Sequence, residues 1–447
     1  MKNKIRNLIP KQLITLAEEV YRRSRVAALN LRYGYPARGL NIIAVTGTNG
    51  KTSTALYIND ILKSAGKKTA LSTTTVLEIN GKSEINKTHR TVPTTAKLLE
   101  FYQKCHAAKV DVVIMEVTSQ GLQQHRLDGM QVNGAVFTNL TPDHLDYHGT
   151  MQRYADAKKI LFGRKMKPKH CILNADDDYF EEFKQASVGE ISSYGFSHSA
   201  KYSIHKMKQT ARGMTWEVEL DDNATSLSIP HVGGFNAANA TAAALVCLRT
   251  GFATISAVQK GLAGSKPMPG RMEVVEGSGG ASPLCIVDFA HTPDATQKVL
   301  EATRGLVSKK GKLICITGAS GDRSLSRRGP VGEHAARISD VLYVTDDEPG
   351  SEDPAMIRSA VLEGAGRVAN SKRARIIEAP DRCHAMKLAY ESATKEDVII
   401  LIGMGRQTSR LGRDGPEPWD DYEVFRDVIN GDSNKDCANW RKIYPVK

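Results

Sequence analysis

The sequence predicts an α/β fold in two successive units, a first built on a mainly parallel sheet and a second that is another α/β series. Three observations carry this. Short apolar strands alternate with helix-like stretches from residue 41 onward. A glycine-rich loop follows directly on the first of these strands. The Pro/Gly-rich stretch Lys266-Pro267-Met268-Pro269-Gly270 then separates one strand–helix series from another.

The chain has 447 residues, 61 Lys+Arg against 49 Asp+Glu, a formal charge of +12 and 41% hydrophobic residues. It is too long for one compact unit, and its near-average composition excludes wholesale disorder, collagen-like repeats and small disulfide scaffolds. Residues 1–40 hold nine Lys or Arg and two Glu, a net of +7. There Ile5, Leu8, Ile9, Leu13, Leu16, Ala17 and Val20 recur near helical spacing, so one or two amphipathic helices broken at Pro10 are expected. Two readings stand for them: packing on the first domain, or docking on an anionic membrane surface or partner.

In the first series, strands are expected at 42–45, 110–115, 135–137 and 171–173, each ending in polar or glycine-rich residues. Sites in such sheets lie at the carboxyl ends of the strands. Alternation in Tyr202-Ser203-Ile204 and from Met214 to Leu220 suggests an antiparallel hairpin insert within 195–232. The second series is expected to place strands at 284–288, 312–317, 341–345 and 398–402. The predicted domains are therefore 1–40, 41–270 and 271–447.

Seven cysteines, at 105, 171, 247, 285, 315, 383 and 437, are scattered without a C-x-x-C pair, which argues against a disulfide framework or zinc site and for reduced thiols in the cytoplasm. The longest apolar runs, such as 398–405, fall well short of the ~20 residues of a membrane span. Lys11, Glu18, Glu19 and Arg22 interrupt any signal-like apolar core, so export is not expected.

The strongest motif is Thr46-Gly47-Thr48-Asn49-Gly50-Lys51-Thr52, between a strand and the helical stretch that starts near Ser53. Backbone N–H groups of such a loop bind phosphate oxygens, the lysine meets the terminal phosphates and the threonine hydroxyl ligates Mg²⁺. The strict pattern would place glycine at Val45.

The variant Gly-Thr-Asn-Gly-Lys-Thr resembles the loop of the Mur ligase superfamily. Further blocks resemble its MurE-type branch, in order: 116–126, the run 137–149 with Asp143-His144-Leu145-Asp146-Tyr147-His148-Gly149, 154–158, 174–177, 234–240, 270–273 and 288–294. The resemblance covers roughly 41–430. It implies a phosphate-loop ATPase domain followed by a Rossmann-like domain. It also implies an ATP-dependent ligase that adds an amino acid to a muramoyl-dipeptide-type precursor in peptidoglycan synthesis. The substrate carboxylate attacks the γ-phosphate to give an acyl phosphate and ADP, and the amine of the amino acid then expels phosphate. Positioning and charge neutralisation dominate such chemistry. A monomer is expected, with no nucleic-acid partner. A ligase for another acidic peptide or polymer, and a non-catalytic ATP-binding subunit, are the alternatives.

The resemblance assigns Gly47, Thr48, Asn49, Gly50, Lys51, Thr52 and Ser53 to ATP phosphates, with Thr52 and Glu116 on one Mg²⁺ and His144 on a second. Lys158 matches the family lysine carbamylated by CO₂, an anionic group able to support that second metal. Lys51, Lys158 and His144 are thus the catalytic candidates. Read without the resemblance, Glu116 ends an apolar strand as a metal or catalytic carboxylate, His144 is a solvated or capping residue and Lys158 a surface lysine. Asn236 and Asn239, a helical turn apart, fit adenine recognition or helix capping. Arg271, Asp288 and His291 resemble nucleotide contacts of the C-terminal domain, with Phe289 where the family usually has Tyr. Thr118, Gln124 and Arg126 match muramoyl-dipeptide contacts, Arg126 suiting a carboxylate.

Two departures stand out. Only the basic opening segment precedes the phosphate loop, so the family's N-terminal UDP-binding domain is not expected. The acceptor pocket keeps Arg323, but the family's Asp-Asn-Pro-Arg appears as Asp347-Glu348-Pro349-Gly350, and Gly-Lys-Gly-His-Glu as Gly403-Met404-Gly405-Arg406-Gln407. Gly350 removes the guanidinium that marks diaminopimelate users, and Gln407 replaces an anion. Alternatively, Arg406 and neighbouring loops re-form those contacts.

Overall fold

A computed structural model describes residues 11–74, 76–85, 91–210, 213–220, 223–412 and 415–431, with side chains described from residue 18 onward. The chain divides into two compact units. The first comprises 1–208, 215–229 and 236–265; the second comprises 209–214, 230–235 and 266–447. The division is thus not one cut near 270: two short stretches before that point group with the second unit.

In the first unit, β1 (Ile42–Thr46), β2 (Thr69–Ser72), β3 (Val76–Ile79), β4 (Lys82–Ile85), β5 (Val112–Glu116), β6 (Gly134–Phe137), β7 (His170–Asn174), β8 (Glu190–Gly195) and β9 (Tyr202–Ser203) form one sheet. Its order is β4-β3-β2-β5-β1-β6-β7-β8-β9. All neighbours from β2 to β9 run parallel, whereas β3 and β4 add antiparallel at one edge. Five consecutive buried residues in each of β1 and β5 show why they read as unbroken apolar runs, being covered on both faces. One face packs Ile42, Ala44, Val113, Met115, Ala135, Phe137, Cys171 and Leu173 into a shared core.

The alternating segment after 195 departs from the expected hairpin. Tyr202–Ser203 joins the large sheet beside β8, while β10 (His205–Thr210), β11 (Gly213–Leu220) and β12 (Asn223–Ile229) make a separate three-stranded sheet. Alternation specifies a half-buried strand but not the sheet that accepts it.

Helix α1 (Lys11–Arg32) is one continuous helix over the described residues. The expectation for residues 1–10 lies outside the described residues. Val26 and Asn30 of α1 are buried, Leu29 packs against the first unit's core, and the Asn30 amide donates to the Asp128 carbonyl at 3.0 Å. Helix α2 (Lys51–Ser64) begins inside the phosphate loop, α3 (Met151–Lys159) carries Lys158, and α4 (Gly234–Arg249) carries the two asparagines.

In the second unit, β13 (Glu273–Val274), β14 (Leu284–Asp288), β15 (Leu313–Thr317), β16 (Val341–Val344), β17 (Arg375–Glu378) and β18 (Val398–Ile402) form a sheet of order β13-β14-β18-β15-β16-β17. Only β13 is antiparallel. Alternate residues feed two cores, Ile286, Cys315, Leu342 and Ile400 on one face and Cys285, Ile316, Tyr343 and Leu401 on the other. A small hairpin, β19 (Ser409–Gly412) and β20 (Gly415–Pro418), follows. Cys105, Cys171, Cys247, Cys285 and Cys315 are free and buried, whereas Cys383 is disulfide-bonded, a departure from the expectation that every thiol is reduced. Among the described residues no helix is long and apolar enough to cross a membrane.

Candidate active site

The first unit's site forms where β1, β5 and β6 end. Gly50 takes the left-handed region at φ 82° and opens α2. A Cβ there would stand 2.4 Å from Asn239 Oδ1, and one on Gly47, at φ 154°, would stand 1.9 Å from Thr138 Oγ1. Both positions therefore require glycine for backbone shape and close approach. The loop is clamped from the segment after β6: Asn49 N–H donates to Asn139 Oδ1 at 2.9 Å, Asn139 Nδ2 returns to Asn49 O at 3.1 Å, and Thr138 Oγ1 donates to Asn49 O at 2.6 Å. The Thr48 hydroxyl donates to Thr141 O at 3.2 Å, and Ser53 is buried in the first turn of α2.

Two ammonium groups rest on this loop's own carbonyls, Lys51 Nζ on Thr48 O and Lys158 Nζ on Gly47 O, each at 2.7 Å. Lys158 is only 2% exposed, with its Nζ 4.7 Å from the Tyr154 ring centroid. It is therefore not the surface lysine its helix alone suggests. Burial and the nearby Lys51 push its proton affinity well below that of an ordinary lysine, and Asp143 and Glu116 only partly oppose this.

The Glu116 carboxylate accepts the Thr52 hydroxyl at 2.9 Å, the Thr74 N–H at 3.0 Å and the Thr74 hydroxyl at 3.2 Å. A threonine hydroxyl beside a buried carboxylate at a phosphate loop is a donor set that fits Mg²⁺, which keeps several waters and phosphate oxygens in its shell. His144 sits in the left-handed region at φ 52°, its Nε2 3.6 Å from Asp143 Oδ2 and its ring edge-on to Tyr154. Beside it His148, 3% exposed, shares a 2.9 Å hydrogen bond with Ser119 Oγ. Burial and Lys158 hold His148 below the usual histidine range. Among the described residues no group of three or more His, Cys, Asp or Glu side chains clusters in metal-binding fashion.

The peptide-contact candidates form a chain. Tyr147 OH accepts from Gln124 Nε2 at 3.0 Å, Gln124 Oε1 accepts from Arg126 Nη2 at 2.5 Å, and Arg126 Nη1 donates to Val92 O at 2.8 Å. The Thr118 hydroxyl instead accepts the Gly121 N–H at 3.1 Å, an N-cap for the short helix Ser119–Gln123. Asn236 and Asn239 are both buried in α4, with Asn239 directly against Gly50.

In the second unit, Asp288 at the end of β14 accepts the backbone N–H groups of Met272 and Ala290, each at 2.7 Å. Burial raises its pKa, with Arg271 opposing. The Arg271 guanidinium lies 4.5 Å from the Phe289 ring centroid, and exposed His291 meets the same ring edge-on. Asp347, 2% exposed beyond β16, has its carboxyl pKa pushed up to about 7 by burial, against the opposing Arg382 and Arg410. A Cβ on Gly403, at φ 122°, would stand 2.6 Å from Asp347 Oδ2. Arg323 and Gln407 lie in loops after β15 and β18, Arg323 exposed and Gln407 half-buried.

Gly350 adopts φ 58°, and a Cβ there would stand 2.1 Å from Asp322 Oδ2. Asp322 in turn accepts the Ser351 N–H at 2.9 Å and the Ser351 hydroxyl at 2.6 Å. Arg406 contacts the carboxylates of Glu273, Asp420 and Glu423 at 3.4, 3.3 and 2.6 Å and covers the Tyr422 ring. These contacts tie Arg406 to residues of its own unit.

Comparison with known proteins places these sites in a family. The Mur ligase middle domain family matches residues 45–247, and the Mur ligase glutamate ligase domain family matches 270–405. The chain belongs to the Mur ligase family. The family comprises ATP-dependent ligases that join an acid to an amino acid, and this Mur ligase is an enzyme of that class. It is 36% identical over 412 residues to a Syntrophomonas wolfei protein named UDP-N-acetylmuramoyl-L-alanyl-D-glutamate--2,6-diaminopimelate ligase, covering 92% of this chain and 82% of the relative. A solved structure of an enzyme of the same name superposes with a TM-score of 0.62 at 29% identity, over 88% of this chain and 79% of the other. The Mycobacterium tuberculosis folylpolyglutamate synthase complexed with ADP shares the fold, with a TM-score of 0.68 at 18% identity over 85% and 91% of the two chains.

In this Mur ligase, sequence reasoning missed Thr74, which supplies two of the three donors on Glu116, and gave no role to Asp143, Tyr147 or Tyr154. Tyr147 and Asp143 stand in the same block as His144, so their signal was present without a partner to read it against.

Proposed function

We propose that this Mur ligase uses ATP to join an amino acid to a muramoyl-L-alanyl-D-glutamate-type precursor in peptidoglycan synthesis. The observation that carries the reading is the convergence of Lys51, Lys158 and the Thr52–Glu116 pair on one phosphate loop, in a chain whose curated relatives are named for that reaction.

On this reading the loop N–H groups hold the ATP phosphates, and Lys51 exchanges the Thr48 carbonyl for phosphate oxygens as the substrate carboxylate attacks the γ-phosphorus. The products of that step are the acyl phosphate and ADP. The acceptor amine then adds to the acyl carbon, loses a proton and expels phosphate. Thr52 and Glu116 would hold Mg²⁺, which would neutralise charge on the phosphates. Lys158, buried and with its proton affinity lowered, is suited to react as a free amine with CO₂, forming an N–C bond and releasing a proton; the anionic carbamate and His144 would then hold a second metal. Gln124 and Arg126, oriented by Tyr147, suit the carboxylates of the acidic peptide, and the Thr118 hydroxyl lies at the same helix start. Asn236 and Asn239 serve the adenine side. By resemblance, Arg271, Asp288 and His291 supply nucleotide contacts, and Arg323, Gly403 and Gln407 the acceptor pocket.

Diaminopimelate, named for the relatives, is the first acceptor to test. A different amino acid is favoured by one observation: Gly350 offers no cation, its Cβ position is filled by Asp322, and Arg406 is spent on three carboxylates. Phosphate release with the UDP-linked and lipid-linked dipeptides and a panel of amino acids tests both. Release with neither dipeptide overturns the main reading. Release with another amino acid and not with diaminopimelate selects the second.

A further inference from the structure

Helix α1 presents two unlike faces. Its inner face carries buried Val26 and Asn30 with half-buried Leu29. At 100° per residue, the outer face carries Ala27, Val20, Leu31, Ser24, Ala28 and Tyr21 in an arc of about 120°. Val20, Tyr21 and Leu31 are 59%, 64% and 71% exposed, and the three small residues are exposed as well. Large apolar side chains gathered on one exposed stripe mark a surface that meets something.

Charge is distributed just as unevenly. Arg25 and Arg32 border the stripe on one side, both exposed, and neither forms an ion pair among the described residues. Arg23 borders the other side. The helix's acids, Glu18 and Glu19, lie away from the stripe and are paired with Arg22 and Arg23. The arc is therefore uncharged, with Val20 and Leu31 on one side of Ser24 and Ala28 and Tyr21 on the other, and it is basic at its rims and free of acids. Tyrosine prefers a boundary where its ring is buried and its hydroxyl wet, and arginine stems reach along apolar surface while the guanidinium stays in a polar layer.

We propose that the outer face of α1 docks on an anionic lipid surface, with Val20, Leu31 and Tyr21 entering the boundary between headgroups and acyl chains and Arg25 and Arg32 meeting lipid phosphates. A helix of 22 residues, about 33 Å long, lies flat in such a boundary. Lys2, Lys4 and Arg6 extend the same sign of charge in the sequence. The attachment is reversible and salt-sensitive, because it rests on one short stripe and a few charges.

The test is sedimentation of the full chain with vesicles of phosphatidylcholine alone or mixed with phosphatidylglycerol. Binding to the mixed vesicles, weak binding to the neutral ones and release at high salt are expected. The Val20→Glu/Leu31→Glu double variant should bind at least about tenfold more weakly, and Arg25→Gln/Arg32→Gln several-fold more weakly. Both should keep wild-type thermal stability and wild-type phosphate release in solution. Absence of binding to anionic vesicles, or equal binding by wild type and the Glu variant, overturns the proposal. So does a wild-type dimer that the Glu variant converts to monomer, which would make the stripe a contact between two copies.

Discussion

Lys158 Nζ donates to the carbonyl oxygen of Gly47 at 2.7 Å, joining a buried lysine of one helix to the first glycine of the phosphate loop. Replacing it by Ala removes a desolvated amine, so thermal stability is expected to hold or rise while turnover falls by about 10²-fold or more. Under ¹³C-labelled bicarbonate, a carbamate resonance should appear in the wild-type spectrum and be missing from Lys158→Ala. Unchanged turnover in the variant would remove the lysine from the reaction.

Glu116→Gln keeps shape but removes the charge that Thr52 and Thr74 surround. The Mg²⁺ concentration for half-maximal phosphate release should rise by about tenfold or more, with binding of the muramoyl substrate little altered. A titration of Mg²⁺ at saturating ATP reads this directly.

Gly50→Ala places a methyl group against the Asn239 amide in a left-handed backbone. A loss of about 1–3 kcal/mol in stability and a larger loss in ATP affinity are expected, measured by denaturant unfolding and nucleotide titration.

Asp347 gives a pH dependence with a defined sign. Unfolded, its carboxyl ionises near pH 4; folded, it holds its proton until about pH 7. The folded state therefore binds more protons between those values, and this group's contribution makes stability fall as pH rises from about 4 to about 7, then level off. Asp347→Asn should flatten that part of the melting-temperature profile and raise stability most at about pH 8. A wild-type profile with no such fall, or one unchanged in the variant, would contradict the assignment.

Arg406→Met should cost about 1–3 kcal/mol, because Glu273, Asp420 and Glu423 lose their shared cation. The order of preference among acceptor amino acids should be unaltered. A switch in that order would return Arg406 to the acceptor pocket.

The phosphate loop was legible because its backbone shape demands glycine at two fixed places, and the sequence records that demand. The parallel sheets were legible for a similar reason: strands covered on both faces need long apolar runs. Edge strands β3 and β4 are short and partly polar, and carry no such mark. Thr74 escaped notice because one of its two contacts with Glu116 is a backbone N–H, which any residue but proline supplies. Tyr154 and Lys158 lie one turn apart on α3, yet their burial follows from how that helix meets the loop after β1, which residue order alone does not reveal.

The contact between Gly350 and Asp322 has a bearing on descent. A side chain at 350 is obstructed while Asp322 and Ser351 hold each other in place. A lineage that gained a side chain at 350 would have to swing the exposed Asp322 carboxylate aside and give up its two bonds with Ser351.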